Sequence, residues 1–335
     1  MEWVKNHPEW IEKYYSKKMY TFFYRGREWF FHSTDTSIGD GLYLLFFVVI
    51  VLGGLQIIGK KRLFSFKFLV SCLCLLFLWF ELSWGLNYYR VPLSEKMGVY
   101  SNQCASDDLF ALTYFLALQS NQQHKKINAT SNDGVEFSYA PSKIIDTLVH
   151  TSKFTKIKTR AKKSWYSTVL LYTGFSGYLN PFTLEAHINE KVPMLQLPVT
   201  IAHEMAHQEG YAAENEANFI GFARTFHHPD PYIRYSSLLF GFKHCYAALK
   251  KSDPELASEI LQMLSLGIRA DYDKMYRFWE QYKTPIRPYA KKSYDQYLKA
   301  NGQSRGIDSY SEVVRLMIRS YSQNPENPFR LGNNL

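Results

Sequence analysis

Cysteine is scarce in this chain: there are four in 335 residues, with no CxxC pair and no Cys/His cluster at zinc-finger spacing. That excludes a disulfide scaffold, a thioredoxin-like redox centre and a zinc finger. Glycine and proline, 18 and 13 residues, are too few for a collagen-like or low-complexity chain. No segment repeats at a fixed period, which argues against solenoids and propellers. Positive charge is not concentrated either. The net +9 divides into 11 Lys/Arg against 7 Asp/Glu over residues 1–90, and 28 against 23 over 91–335. A charge spread that evenly leaves no footprint for nucleic acid, which is not expected as a partner. The mean hydropathy of −0.26 excludes a transporter of many spans. The opening residues lack the basic, apolar and small-residue order of a cleaved signal peptide.

What is present is a globular majority, 46% hydrophobic and 17% aromatic, together with two long apolar runs. Gly41 to Gly59 carries no charge, and Leu63 to Leu86 carries only Lys67 and Glu81, toward its ends. A bilayer core takes about 20 apolar residues, so the runs predict two transmembrane helices, at about 41–59 and 64–86. Trp79, Trp84, Tyr88 and Tyr89 then read as an interfacial aromatic belt. Lys60, Lys61 and Arg62 fill the short connector, which the positive-inside rule assigns to the cytoplasm. A 1–40 tail and a 90–335 domain would therefore both lie outside, although the basic residues of the tail pull the other way. In that compartment Cys104 and Cys245 can pair or remain free thiols.

The 90–335 region reads as mainly α. Ser106 is a helix N-cap candidate before DLFALTYFLAL, and a second helix is expected from Pro141. The run 153–165 has six Lys/Arg in its first eleven residues and reads as a solvated loop or a face toward anionic lipid. FTLEAHIN, 182–189, alternates apolar and polar residues as a half-buried strand does. From residue 198 onward the pattern is helical. The expected fold is mainly α with a small antiparallel β element, preceded by the two-helix membrane hairpin.

The chemistry concentrates in LPVTIAHEMAHQEGYAAENEANFIGFA, 197–223. Pro198 and Thr200 suit a helix start, and Gly210 suits its end. His203 and His207 differ by about 40° around that helix and lie one turn apart, so both imidazoles can reach one metal ion. Glu204 stands beside them, placed to take a proton from an attacking water. If the next helix starts near Tyr211–Ala212, Glu214 and Asn218 share a face. Glu214 can then ligate the metal while Asn218 orients a ligand histidine. Glu216 points about 200° away and is the weaker candidate.

HExxH followed by ExxAN resembles the gluzincin branch of zinc metallopeptidases. The resemblance implies Zn2+ held by His203, His207 and Glu214, with Glu204 as catalytic base. Two features depart from it: only six residues separate His207 from Glu214, and Asn218 stands where many gluzincins have Asp. More broadly, SIGDGLYLL, NPFTLEAHIN, P-x-T-x-AHEMAHQEG, ENEANF and YLKANGQSRGIDSYSEVV resemble an uncharacterised bacterial family of membrane-anchored proteins, a domain of unknown function. That resemblance implies a multi-pass protein of the bacterial inner membrane, zincin-like outside the bilayer. In such a frame the 182–189 strand is the edge that pairs with substrate, with Glu185, His187 and Asn189 toward the cleft. His187 and Tyr235 are candidate substrate contacts.

The expected function is a membrane-anchored zinc metallopeptidase acting on a peptide or protein substrate, with the lipid bilayer as its other partner. Two alternatives use the same residues: a non-catalytic metal-binding envelope or scaffold protein, and a zinc hydrolase of a non-peptide amide.

Overall fold

The computed structural model describes residues 2–31, 34–58, 66–98, 106–127, 134–136, 139–151, 158–303 and 310–330. The N-terminal third holds α1 (Glu2–Lys5), α2 (Pro8–Trp10), a wide i→i+5 helix (Ile11–Met19) running into α3 (Tyr20–Phe31), α4 (Ile38–Ile58), α5 (Phe66–Ser83), a 3-10 turn (Gly85–Tyr89) and α6 (Leu93–Lys96). Then come α7 (Ser106–Ile127), α8 (Pro141–Thr151), β1 (Ala161–Lys163), α9 (Ser167–Thr173), β2 (Gly177–Leu179) and β3 (Ala186–Ile188). The remainder is helical: α10 (Leu197–Gln208), α11 (Glu214–Phe226), α12 (Pro231–Ser252), α13 (Pro254–Met263), α14 (Leu266–Gln281), α15 (Ile286–Ala300) and α16 (Tyr310–Gln323).

Local chemistry sets several helix ends. Asp230 and Asp253 each precede a proline at the first helical position, and their carboxylates accept from Tyr232 and Ile233 N–H and from Leu256 N–H, respectively. Ser265 caps α14 through Ile268 N–H. Gly210 closes α10 in the left-handed region, φ 85°, its N–H donating to the His207 carbonyl.

Packing places α10 between two apolar layers. Ile201 and Met205 face the sheet and α8, in a core with Ile144, Leu148, Ala186 and Ile188. Ala206 joins the larger core of α7, α11, α12 and α16, built on Leu116, Phe219, Phe222, Leu238 and Met317. α11 approaches closely at Gly221, where a Cβ would lie 2.9 Å from His203 N. A third cluster, with Ile11, Tyr15, Tyr20, Tyr24 and Trp84, backs the end of α10; there Tyr20 donates to the Gln208 carbonyl at 2.8 Å.

The sheet is mixed, not antiparallel throughout. β3 is central, parallel to β1 (Ala161 opposite Ala186) and antiparallel to β2 (Gly177 opposite Ile188). The strand expected over 182–189 is confined to Ala186–Ile188. Asn180 explains the shortening: its side-chain oxygen accepts from Phe182 and Thr183 N–H, folding 180–184 into a turn that puts Leu184 at φ 59°.

The membrane hairpin is not supported. Among the described residues no helix is long and apolar enough to cross a membrane. The start of one of these helices and the end of the other are also built into the domain. At the start of α4, Gly39 N–H donates to Glu185 at 2.5 Å and buried Asp40 accepts from Trp165 N–H at 2.7 Å. At the end of α5, the Leu82 carbonyl accepts from Tyr15 and Ser83 Oγ from Arg27. A multi-pass inner-membrane location is not supported either. The intervening parts of both helices carry exposed apolar residues, among them Phe47, Ile50, Leu73 and Leu75. The basic connector Lys60–Arg62 and the thiol of Cys104 lie outside the described residues. Lys162, from the run expected to be solvated, is buried and donates to Glu185 at 2.6 Å.

Candidate metal centre

α10 presents His203, Glu204 and His207 together, with one donor atom of each within 4.8 Å of the others. The imidazoles lie nearly perpendicular, 4.6 Å between ring centroids. The first residue of α11 completes the group: Glu214 Oε2 is 3.4 Å from His203 Nε2, and Oε1 is 3.4 Å from His207 Nε2. Donors placed 2.0–2.1 Å from a tetrahedral zinc ion are about 3.3 Å apart. The donor types fit zinc, and each histidine stands at that spacing from one Glu214 oxygen, His203 from Oε2 and His207 from Oε1.

The histidines are held unequally. His207 Nδ1 lies 2.7 Å from the Tyr211 carbonyl, which fixes the tautomer that turns Nε2 toward Glu214, and the Trp84 ring meets His207 edge-on. Buried His203 Nδ1 has no hydrogen-bond partner among the described residues. Burial lowers the His207 pKa, but the Glu214 carboxylate outweighs it and holds the imidazole up at about 9. Burial raises the Glu214 pKa in turn, and His207 and His203 overcome it, keeping the carboxyl well below its ordinary range.

Glu204 behaves differently. Burial pushes its pKa up to about 7, the two histidines pull down against it, and Glu214 adds to the rise. Its Oε2 has no hydrogen-bond partner among the described residues. A carboxylate near neutrality with a free oxygen can both take and return a proton. β2 runs directly past it, and a Cβ at Gly177 would lie 2.5 Å from Glu204 Oε1.

Other residues singled out in the sequence lie elsewhere. Glu216 is buried on the far side of α11, accepting from Leu93 N–H at 2.6 Å. Asn218 is buried one turn beyond Glu214, but its amide nitrogen has no partner among the described residues, and no hydrogen bond joins it to either histidine. His187 is fully buried in central β3, stacked on Tyr178, with Nε2 2.7 Å from Ser37 Oγ at the start of α4. Tyr235 is buried in the helical core and donates to Asp271 at 2.7 Å. Neither is brought to the His203, His207 and Glu214 group. Tyr294 of α15 is brought there, donating to Glu214 Oε1 at 2.5 Å; no sequence signal distinguishes it from the other tyrosines of its helix.

A family model described as "Protein of unknown function (DUF3810)" matches residues 15–318, which include every residue of this centre. No curated protein and no solved structure matches the chain.

Proposed function

Because the chain belongs to the family described as protein of unknown function (DUF3810), we propose its function from the site itself: a zinc-dependent metallopeptidase of gluzincin type. The observation that carries this reading is that Glu214 faces both His203 and His207, one oxygen to each at 3.4 Å, beside a buried Glu204 whose Oε2 has no hydrogen-bond partner among the described residues. Bound by those three donors, zinc would supply Lewis acidity and bring the pKa of a water down toward 7. Glu204 accepts the proton of the attacking water and delivers it to the leaving amine. His207, oriented by the Tyr211 carbonyl, and Glu214, anchored at the start of α11, keep the donor set in register with that base.

A peptide is favoured over another amide by the strand beside the base. β2 pairs with β3 on one side, and among the described residues no strand pairs with its other edge. An extended chain added along that edge would be held by main-chain hydrogen bonds and carry its carbonyls past Gly177 toward Glu204. The edge is β2, not the 182–189 segment expected to play that part. A purely structural metal site gives no account of the unpaired Glu204 oxygen.

Metal analysis and peptide-library cleavage test the proposal. The wild-type protein is expected to carry one zinc per chain, and His203→Ala or His207→Ala to lose it. Glu204→Gln should keep the metal and lose hydrolysis by about 10²–10⁴-fold. A folded wild-type protein that takes up no zinc would sink this reading. Cleavage that survives Glu204→Gln would exclude the assigned base.

A further inference from the structure

Tyr294 lies 80 positions from Glu214 in the chain, yet its hydroxyl donates to that carboxylate. Glu214 opens α11 behind Ala213, which provides no side-chain cap, so its carboxylate is positioned by what it meets across the cleft. Its two oxygens are engaged differently. Oε2 faces His203 Nε2, whereas Oε1 faces His207 Nε2 and also accepts from Tyr294. The phenol is itself held in place. Its ring meets Phe175 edge-on at 5.3 Å and stacks on Tyr297 at 6.2 Å, with 18° between the planes. Tyr297 in turn shares a 3.3 Å hydroxyl contact with Tyr88 of the 3-10 turn and meets the Phe80 ring of α5. Phe175 stands two residues before Gly177, the glycine against Glu204. Packing from three separate parts of the chain therefore aims this hydroxyl at one oxygen.

We infer that Tyr294 is a positioning residue for the metal: it retains Glu214 Oε1 and leaves Oε2 as the single oxygen offered to a zinc ion shared with His203 and His207. The inference rests on the metal-site reading above. A carboxylate free to offer both oxygens suits the high coordination numbers of calcium. One oxygen tied to a neutral donor leaves a set of two nitrogens and one oxygen, the three-donor arrangement of a zinc site with one position open. A phenol provides that tie without adding a charge to the site. Partners that hold a ligand from outside the coordination sphere govern metal affinity by about 10- to 100-fold.

Zinc titration of the metal-free full chain against a competing chelator tests the assignment. Tyr294→Phe is expected to bind zinc about 10- to 100-fold more weakly. Its cobalt(II)-loaded form should show an altered visible spectrum, because the oxygen donors rearrange. Tyr297→Phe, which removes the neighbouring hydroxyl on the same helix, is expected to keep wild-type affinity and spectrum. Thermal unfolding of the metal-free proteins checks that each variant folds. Should Tyr294→Phe fail to fold, Phe175→Leu, which keeps the hydroxyl and frees its ring, is expected to weaken zinc binding in the same direction, and unchanged affinity there would overturn the inference. A folded Tyr294→Phe that binds zinc within about twofold of wild type with an unchanged cobalt spectrum also overturns it. A loss of turnover alone in that variant would assign the phenol to the substrate and overturn it too. If wild-type protein binds no zinc, the metal-site reading itself fails, an outcome distinct from the preceding ones.

Discussion

Glu204 takes its proton affinity from its surroundings: burial drives it toward the neutral acid, and the two imidazoles oppose that. Its position depends equally on what is missing next to it. A Cβ at Gly177 would fall 2.5 Å from its Oε1, 2.8 Å from its Cγ and 2.8 Å from the His187 carbonyl. Gly177→Ala is therefore expected to displace the base and lower hydrolysis by roughly 10–10²-fold, since misplacement on the ångström scale suffices for that. Zinc content should stay at the wild-type level, because Gly177 faces the base and not the metal donors. Parallel loss of zinc and activity would show that the strand supports the metal as well. The histidine pair was legible in the sequence because helical periodicity is a local property. Glycine against a side chain, and a tyrosine from a remote helix, are contacts across the fold and leave no local trace. His187 and Tyr235 show the opposite limit: expected at a cleft, both are buried, held by Ser37 and Asp271, contacts that no local pattern announces.

At the scale of elements, the site depends on how closely α10 and α11 approach. Gly221 lets the backbones meet, with His203 N, His203 Cα and the Val199 carbonyl all within about 3 Å of where a Cβ would stand. Those are backbone atoms, which cannot swing aside. Gly221→Ala is expected to cost about 1–3 kcal/mol, as overpacking does, and to weaken zinc binding by moving Glu214 away from the histidines. Chemical denaturation with parallel zinc titration measures both effects; a variant as stable as wild type with full zinc affinity would contradict this account of the interface. The capped starts of α12, α13 and α14 are local features, an Asp-Pro step or a serine settling each within a few residues. α4 and α5 fall where helices were expected, but what holds them could not be read. Composition records how apolar a run is, but not that its ends are fastened to Glu185, Trp165, Tyr15 and Arg27. The strand is shorter than its alternation implies for a related reason: Asn180 bends half of the alternating segment into a turn.

Taken as a whole, the molecule is fastened by its N-terminal helices, which the sequence presented as a tail. Glu12 is buried between Arg90, at 2.7 Å, and Lys96, at 2.7 Å. Burial raises its pKa, but the two cations prevail and hold it down at about 2. A carboxyl lowered on folding contributes stability that is full above its unfolded pKa, near 4.5, and is lost as pH falls through about 2. The shift corresponds to roughly 3 kcal/mol. Glu12→Gln should therefore unfold at a distinctly lower temperature than wild type at pH 7, and the gap should narrow between about pH 4.5 and 2. A gap that stays constant over that range would remove the ion pair as its cause. Nothing local in the sequence announces the pairing, because its partners lie 78 and 84 positions away.

The same fastening has a kinetic meaning. The last carbonyls of α10 and its closing glycine accept from Tyr20, 188 positions back, and from Arg90, 120 positions back. Helices of this length form within microseconds, but closing chain loops of that size is far slower. The His203–His207 helix can thus form early and still lack a fixed end, and Glu214, seven residues past His207, cannot settle until that end is held. The grouping of His203, His207 and Glu214 is then expected among the last events of folding, once the N-terminal helices have met the end of α10.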